Sequence, residues 1–371
     1  MDLFSDIIHT GATFVVVLTA LVFVHEWGHY WVARRCGVRV DVFSIGFGPE
    51  IFGWTNRAGT RWKISALPLG GYVKFFGDMN AASAGKLTAG LDPAERAYAF
   101  HLKPVGQRAA VVAAGPIANF LFAIVLLAGF FATVGQPYTP ADVGEVLPGS
   151  AAERAGFQVG DRVLAIDGQK IDRFLDMQQL VGMSPGETLT FSIDRQGERV
   201  ALTAIPDRYE STDPLGNPQI IGRLGLSRAP EGFVRRGPVE ALWYATVETG
   251  NIVRLTFKFL GQIFEGKRSG EELGGPLRIA KFSSETAKDG IASLVMFMAM
   301  LSINLGFVNL LPVPMLDGGH LAFYAWEAAA GRPLSERAQE YGFRIGLALV
   351  LSLMVFVTWN DLNYLNIFNF G

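Results

Sequence analysis

The stretch IIHTGATFVVVLTALVFVHEWGHYW, residues 7–31, decides the architecture. Its first 18 residues, Ile7 to Val24, contain no Asp, Glu, Lys or Arg. A hydrocarbon layer about 30 Å thick needs about 20 helical residues, so this run spans a bilayer once its flanks are counted. Asp2 and Asp6 precede it without a Lys or Arg, and no small-residue cleavage site follows. That pattern predicts a retained span rather than a removable signal. At its end stands His25-Glu26-Trp27-Gly28-His29, an H-E-x-x-H pattern. Residues i and i+4 share a helix face, so both imidazoles can reach one metal ion while Glu26 faces the water that the ion polarises. Ionisable groups inside a span are costly and functional by default. The bland reading is two interfacial histidines and a glutamate at a helix end.

Three more uncharged stretches lie downstream: Ala109 to Ala141, Ile291 to Leu316 and Ile345 to Asn360. The four together hold 93 of the 371 residues, which leaves the rest 24% charged, ordinary for water-exposed protein. Four spans are expected, at about 7–32, 106–134, 291–315 and 340–360. Apolar content of 50% excludes intrinsic disorder, and a net charge of -2 without a long basic run argues against a nucleic-acid partner. The lone Cys36 forms no internal disulfide. Residues 33 to 108 carry eleven Lys or Arg, and Arg332, Arg337 and Arg344 lie between the last two uncharged stretches. Positive charge marks the cytoplasmic side, so both termini and the segment from about 140 to 290 are expected on the opposite side.

Between the first two spans, VDVFSIGFGPEIFGW (40–54) and RWKISALPLGGYVKFF (61–76) read as β-hairpins. Their apolar content suggests sheet that dips into the bilayer, tolerable only where protein or a wet cavity satisfies the backbone. An ordinary cytoplasmic hairpin is the alternative. Residues 80–100 are rich in Ala, Gly and Ser and read as a mobile loop. Residues 139–228 read as a compact β-rich domain, with a strand ended by Asp167-Gly168, and 229–290 as a linker with an interfacial or reentrant amphipathic helix at about 239–264, a fifth span being the alternative.

A zinc site needs a third protein ligand if a fourth position is to hold water. Asp317, in NLLPVPMLDGGH (309–320), follows the third uncharged stretch at the same expected depth as His25 and His29. A helix cap is the other reading of Asp317, and His320 is an alternative ligand. His9 and His101 are expected elsewhere. Asn119 and Asn309 sit within spans and either pair helix to helix or donate to a substrate carbonyl.

HEWGH, FSIGFGP (43–49), LPLGGYVKF (67–75), GPIANF (115–120), GGPLRIAKF (274–282), INLGFVNLLPVPMLDGGH (303–320) and NDLNYL (360–365) together resemble the site-2 protease family of intramembrane metalloproteases, in its bacterial regulator of sigma-E protease group. The resemblance implies a multi-pass α-helical membrane protein with four transmembrane helices, membrane-reentrant β-hairpins and an inserted β-rich PDZ domain. It implies zinc held by His25, His29 and Asp317, Glu26 as general base, and support from Asn119, Asn309, Gly115, Pro312 and Pro314. Substrate β-addition is expected along Ser44, Ile45, Gly46, Phe47, Gly48, Leu69, Gly70, Gly71 and Tyr72. A peptide groove is expected at Val143, Gly144, Glu145 and Val146 of the PDZ domain, which otherwise only obstructs access. Well-known members carry two PDZ copies and this chain has room for one, which bears on gating and not on the chemistry.

The implied substrates are single-pass membrane proteins of the anti-sigma-factor type and remnant signal peptides, cut in a bacterial inner membrane. A metal-ion transporter would have no need of Glu26. A non-catalytic PDZ scaffold would have lost the metal constellation.

Overall fold

The computed structural model describes residues 3–77, 92–138, 140–212, 218–228 and 232–365, so most of the expected mobile loop lies outside the described residues. The chain divides into two units. The first comprises Met1–Leu127, Tyr244–Val253 and Gly274–Gly371, the second Ala128–Trp243 and Arg254–Leu273.

From the N-terminus run α1 (Leu3–Arg35), β1 (Val40–Thr55), β2 (Arg61–Phe75), α2 (Pro93–Arg96) and α3 (Val105–Thr133). The second unit adds β3 (Gln136–Tyr138), β4 (Val143–Val146), α4 (Ala151–Ala155), β5 (Arg162–Ile166), β6 (Gln169–Lys170), α5 (Phe174–Gly182), β7 (Leu189–Arg195) and β8 (Glu198–Ala204). It continues through β9 (Asp207–Thr212), β10 (Pro218–Arg223), β11 (Leu226–Arg228) and β12 (Gly232–Val234). Then come α6 (Pro238–Phe264), α7 (Pro276–Lys288), α8 (Ile291–Asn309), α9 (Asp317–Ala330) and α10 (Glu336–Tyr364).

Four helices among the described residues are long and apolar enough to cross a membrane: Ile8–Arg35, Val105–Thr133, Ile291–Asn309 and Glu336–Tyr364. The third ends at Asn309 rather than near 315, because Pro312 and Pro314 lack the N–H that a helix interior needs. α6 is a continuous helix over the stretch read as amphipathic.

In the first unit α1 and α3 cross at glycine. A Cβ on Gly28 would meet the Ala114 carbonyl oxygen at 2.3 Å and the Ala118 Cβ at 2.7 Å. β1 and β2 bend midway, where Gly46, Gly48 and Gly70 have φ of 87°, 88° and 102°. The bends give the pair a doubled register: Val42–Ile45 lie beside 71–74 and also beside 61–64, while Phe52–Thr55 pair with 61–64. Val42–Ile45 therefore have β2 on both sides, and among the described residues the far edge of 71–75 has no strand partner. Val40, Phe43, Val73 and Phe75 bury this sheet against Ala33, Val111 and Val112 of the two helices.

Two sequence motifs with no role in the metal reading explain each other here. Asp361, fully buried on α10, accepts the backbone N–H groups of Gly275, Leu277 and Arg278 at 2.9–3.2 Å and pairs with the Arg278 guanidinium at 2.9 Å. A carboxylate at a helix N-terminus satisfies donors that have no partner within the helix, and α7 begins there. A Cβ on Gly275 would meet Asp361 Oδ2 at 2.6 Å, so the glycine is a packing requirement.

The second unit is built around a sheet of order β6-β5-β7-β8. Asp167 and Gly168 both have positive φ, as the two-residue turn joining β5 to β6 demands. Ser150 caps α4 and left-handed Gly156 ends it. Val163, Ile166, Phe174, Met177, Phe191, Ile193 and Leu224 are among its core. Lys258 of α6 donates to Ser184 at 2.5 Å, and Gln262 donates to the Met183 carbonyl, so the C-terminal half of α6 is fastened to the loop after α5.

Candidate metal centre

His25 and His29 project from one face of α1 four residues apart, and Asp317 opens α9. Among the described residues these three form the one group of His, Cys, Asp or Glu side chains that could hold a metal ion, their ligand atoms lying within 4.8 Å of one another. His25 Nε2 is 3.2 Å from His29 Nε2 and 3.1 Å from Asp317 Oδ2, and His29 Nε2 is 3.5 Å from the same oxygen.

The hydrogen-bond pattern decides what these atoms are. His29 Nδ1 lies 2.9 Å from the Val111 carbonyl oxygen, which can only accept, so Nδ1 carries a proton and, in the neutral imidazole, Nε2 a lone pair. His25 Nδ1 lies 3.2 Å from the side-chain amide of Asn119, whose Oδ1 has no hydrogen-bond partner. Exchanging that amide's oxygen and nitrogen lets His25 Nδ1–H donate to Oδ1 and leaves Nε2 as a second lone pair. Two lone pairs and a carboxylate oxygen facing one another repel unless a proton or a metal cation lies between them. Zinc bonds of about 2.0–2.1 Å place tetrahedral ligands about 3.3 Å apart, which matches the observed separations.

Glycine makes the cradle. A Cβ on Gly115 would stand 2.3 Å from His29 Nε2 and 2.9 Å from His25 Cε1. Gly306 of α8 packs against the Pro116 carbonyl, and Ser302 donates to the Asn119 carbonyl at 2.8 Å, which fixes the α3 turn that bears Asn119. Asp317 is aimed by compression: a Cβ on Gly318 would meet the Leu310 and Leu311 carbonyl oxygens, and one on Gly319 the Val313 oxygen. Pro314 sits beneath Gly346 of α10, whose Cβ would strike the Pro314 carbonyl at 2.0 Å.

A cavity of about 870 Å³ opens on the cluster and is lined by His25, Glu26, His29, Gly71, Tyr72, Val73, Asn309, Met315, Asp317 and His320, among others. The Glu26 carboxylate accepts the backbone N–H of Val73, so the open edge of β2 faces it. Sequence reasoning missed Val73, because a backbone donor leaves no signature in residue type.

Gly71 and Tyr72 share this cavity. Ser44 and Ile45 do not, being flanked by β2 on both sides. Gly70 is pressed against the Phe47 ring, which stacks on Tyr72, and Gly46 lies under the Leu67 carbonyl. A Cβ on Gly48 would meet nothing within 4 Å. Leu69 lies on β2, and Pro312 and Pro314 shape the loop without lining the cavity. His320 lines the cavity beside Phe323 and Phe343, outside the ligand group.

In the second unit, Val143, Gly144, Glu145 and Val146 form β4. Its partner β11 sets Leu226 opposite Val146, Ser227 opposite Glu145 and Arg228 opposite Val143. Val143 also bonds Asp161 and Gly160 on its other side. A peptide could add along β4 only by displacing these partners.

The sequence pattern of peptidase family M50 matches residues 13–353. The chain belongs to this family, the site-2 proteases. Within M50 it is 34% identical to the regulator of sigma-E protease of Escherichia coli (strain K12) over 95% of this chain and 98% of that one. It is 40% identical to the metalloprotease MmpA of Caulobacter vibrioides over 95% of each. A protein of Rhizobium meliloti (strain 1021) with the provisional name of zinc metalloprotease is 48% identical over 98% of this chain and 99% of its own length. The chain is thus a membrane-embedded zinc metalloprotease, as M50 membership and the metal-ready cluster agree.

Proposed function

We propose that this chain hydrolyses peptide bonds in membrane-spanning segments of single-pass proteins. The observation that carries the reading is the meeting of three groups in one cavity: the His25, His29 and Asp317 ligand atoms, the Glu26 carboxylate and the open edge of β2.

His25, His29 and Asp317 would hold zinc, which when bound supplies a Lewis acid that lowers the pKa of water and stabilises an oxyanion. Glu26 takes the proton of the attacking water and passes it to the leaving amine. Val73 N–H holds the Glu26 carboxylate in place. Asn119 fixes the His25 tautomer, and Asn309, at the end of α8 on the cavity wall, is placed to hold a substrate carbonyl.

A transmembrane helix hides its carbonyls in its own hydrogen bonds and must unwind to be cut. Pairing with Gly71 and its neighbours on β2 supplies replacement backbone bonds, the β-addition mode of recognition. Inside a bilayer such a sheet persists only against protein or a wet cavity, and this one has both, so we read it as membrane-reentrant.

The basic segment 33–108 supports a cytoplasmic-side site, with both termini and the β-rich unit on the periplasmic side of a bacterial inner membrane. We read that unit as a single PDZ domain and place peptide contact on the outer edge of β11, which pairs with no strand but β4 among the described residues. Anti-sigma-factor-like proteins are the first substrates to test, with remnant signal peptides next.

Glu26→Gln tests the reading. The variant should keep about one zinc per chain and lose cleavage of a model transmembrane peptide by about 10³-fold or more. Turnover like that of the parent would remove Glu26 as the base.

A further inference from the structure

The loop between α8 and α9 contains a side chain that the chemistry above does not use. Leu316 N–H bonds the Val313 carbonyl at 3.0 Å, closing a four-residue turn with Pro314 second and Met315 third. Met315 has φ 88°, which makes the turn type II. Glycine or asparagine is the ordinary occupant of that third position, because a Cβ in left-handed backbone crowds the chain. Among the described residues two other non-glycine residues have positive φ, Asp167 and Gln196, and both sit in short turns between strands of the second unit. Met315 alone of the three lines the metal cavity, two residues before Asp317, with 41% of its surface exposed.

Glycine would make the same turn without strain, so aiming Asp317 does not require a methionine. What Met315 adds over glycine is its side chain, and Met315 lines the cavity that Gly71, Tyr72 and Val73 also line. Residues held in unfavourable backbone at a site point to function rather than to folding. A thioether on three rotatable bonds is an adaptable apolar surface, suited to the varied Leu, Ile, Val and Phe residues of an unwound membrane segment.

We propose that Met315 is a specificity-determining residue whose side chain walls the subsite for the substrate residue next to the scissile bond. The proposal rests on the proteolytic reading above. A substrate strand on the β2 edge turns alternate side chains to opposite faces, so one flanking residue is directed at this wall and the other away from it.

The test uses the full-length zinc-loaded chain, its Met315→Ala and Met315→Gly variants, and transmembrane peptides carrying Leu or Ala at each position flanking the cut. At one flanking position the parent should favour Leu over Ala by about tenfold in kcat/KM, the scale of an apolar pocket contact. Both variants should flatten that ratio towards one and keep the parent's zinc content. Met315→Gly should also melt above Met315→Ala, because only glycine relieves the turn. Variants that keep the parent's Leu-to-Ala ratio would overturn the proposal, as would an equal loss on every peptide accompanied by loss of zinc. A parent that cuts no peptide would defeat the proteolytic reading itself, and this proposal with it.

Discussion

Both units have apolar cores, and the first also buries the polar cluster of its candidate metal centre. In the second, the core is aliphatic and aromatic, Phe191 and Ile193 at its centre. In the first, His25, His29 and Asn119 are buried beside an Asp317 oxygen 3.1 Å from His25 Nε2, and Gly115 packs against both imidazoles. An apolar core is stabilised by area and tolerates repacking. A polar cluster depends on the positions of a few ligand atoms, so its tolerance to change is set by fractions of an ångström.

Removing Asp317 should have the largest effect on that contrast. Asp317→Ala leaves two imidazoles, an incomplete site, and should lose most of its zinc on dialysis against a chelator. His320→Ala, which alters the same cavity outside the ligand group, should retain it. Zinc lost from the His320 variant and kept by the Asp317 variant would reverse the ligand assignment.

Next comes the glycine cradle. Gly115→Ala adds one methyl where 2.3 Å separates it from His29 Nε2, so both imidazoles must move. Zinc affinity should fall by about 10–100-fold, the scale on which support around a metal site acts. Gly129→Ala, on the same helix with nothing within 4 Å of its Cβ, should be neutral or stabilising by up to about 1 kcal/mol. Equal behaviour of the two variants in competition with a zinc-responsive dye would show that the cradle does not set affinity.

These contrasts also mark what was legible in the sequence. His25, Glu26 and His29 could be read because helical periodicity fixes which residues share a face, and the uncharged runs because membranes demand length. The β1–β2 edge could not be read. Hairpin register depends on where the strands bend, and the left-handed Gly46, Gly48 and Gly70 double the pairing so that Ser44 and Ile45 become interior. The β4–β11 pairing was hidden for a different reason: about 80 residues separate the partners, and local pattern carries no information about that contact. GGPLRIAKF and NDLNYL stood out as motifs, but their joint purpose, Asp361 capping α7, needed three dimensions.

The second unit should show the complementary behaviour. Phe191 is fully buried and meets Phe157 edge to face at 5.2 Å. Phe191→Ala should cost about 3–5 kcal/mol, enough to open a marginal domain. Hydrogen exchange across β5, β7 and β8 should accelerate while zinc content holds. Zinc lost in step with that opening would mean that the two units do not unfold separately.

The smallest expected effect is one of pH. Asp161, 1% exposed in the second unit, accepts Arg195 Nε and Nη2 at 2.8 Å and the Gln158 N–H at 2.8 Å. Burial pushes its carboxyl up, but the Arg195 and Gln158 hydrogen bonds outweigh burial and hold it below the ordinary carboxylate value. A group with a depressed native pKa favours the fold above its unfolded pKa, about 3.9 for Asp, and that contribution is lost as pH falls through the native value. Asp161→Asn should therefore loosen the β5–β7 region at pH 7, and the difference from the parent should shrink as both are taken below about pH 4. Hydrogen exchange corrected for intrinsic rates reads this directly. A gap between variant and parent that stayed constant down to pH 3 would show that Asp161 acts through shape and not through its charge.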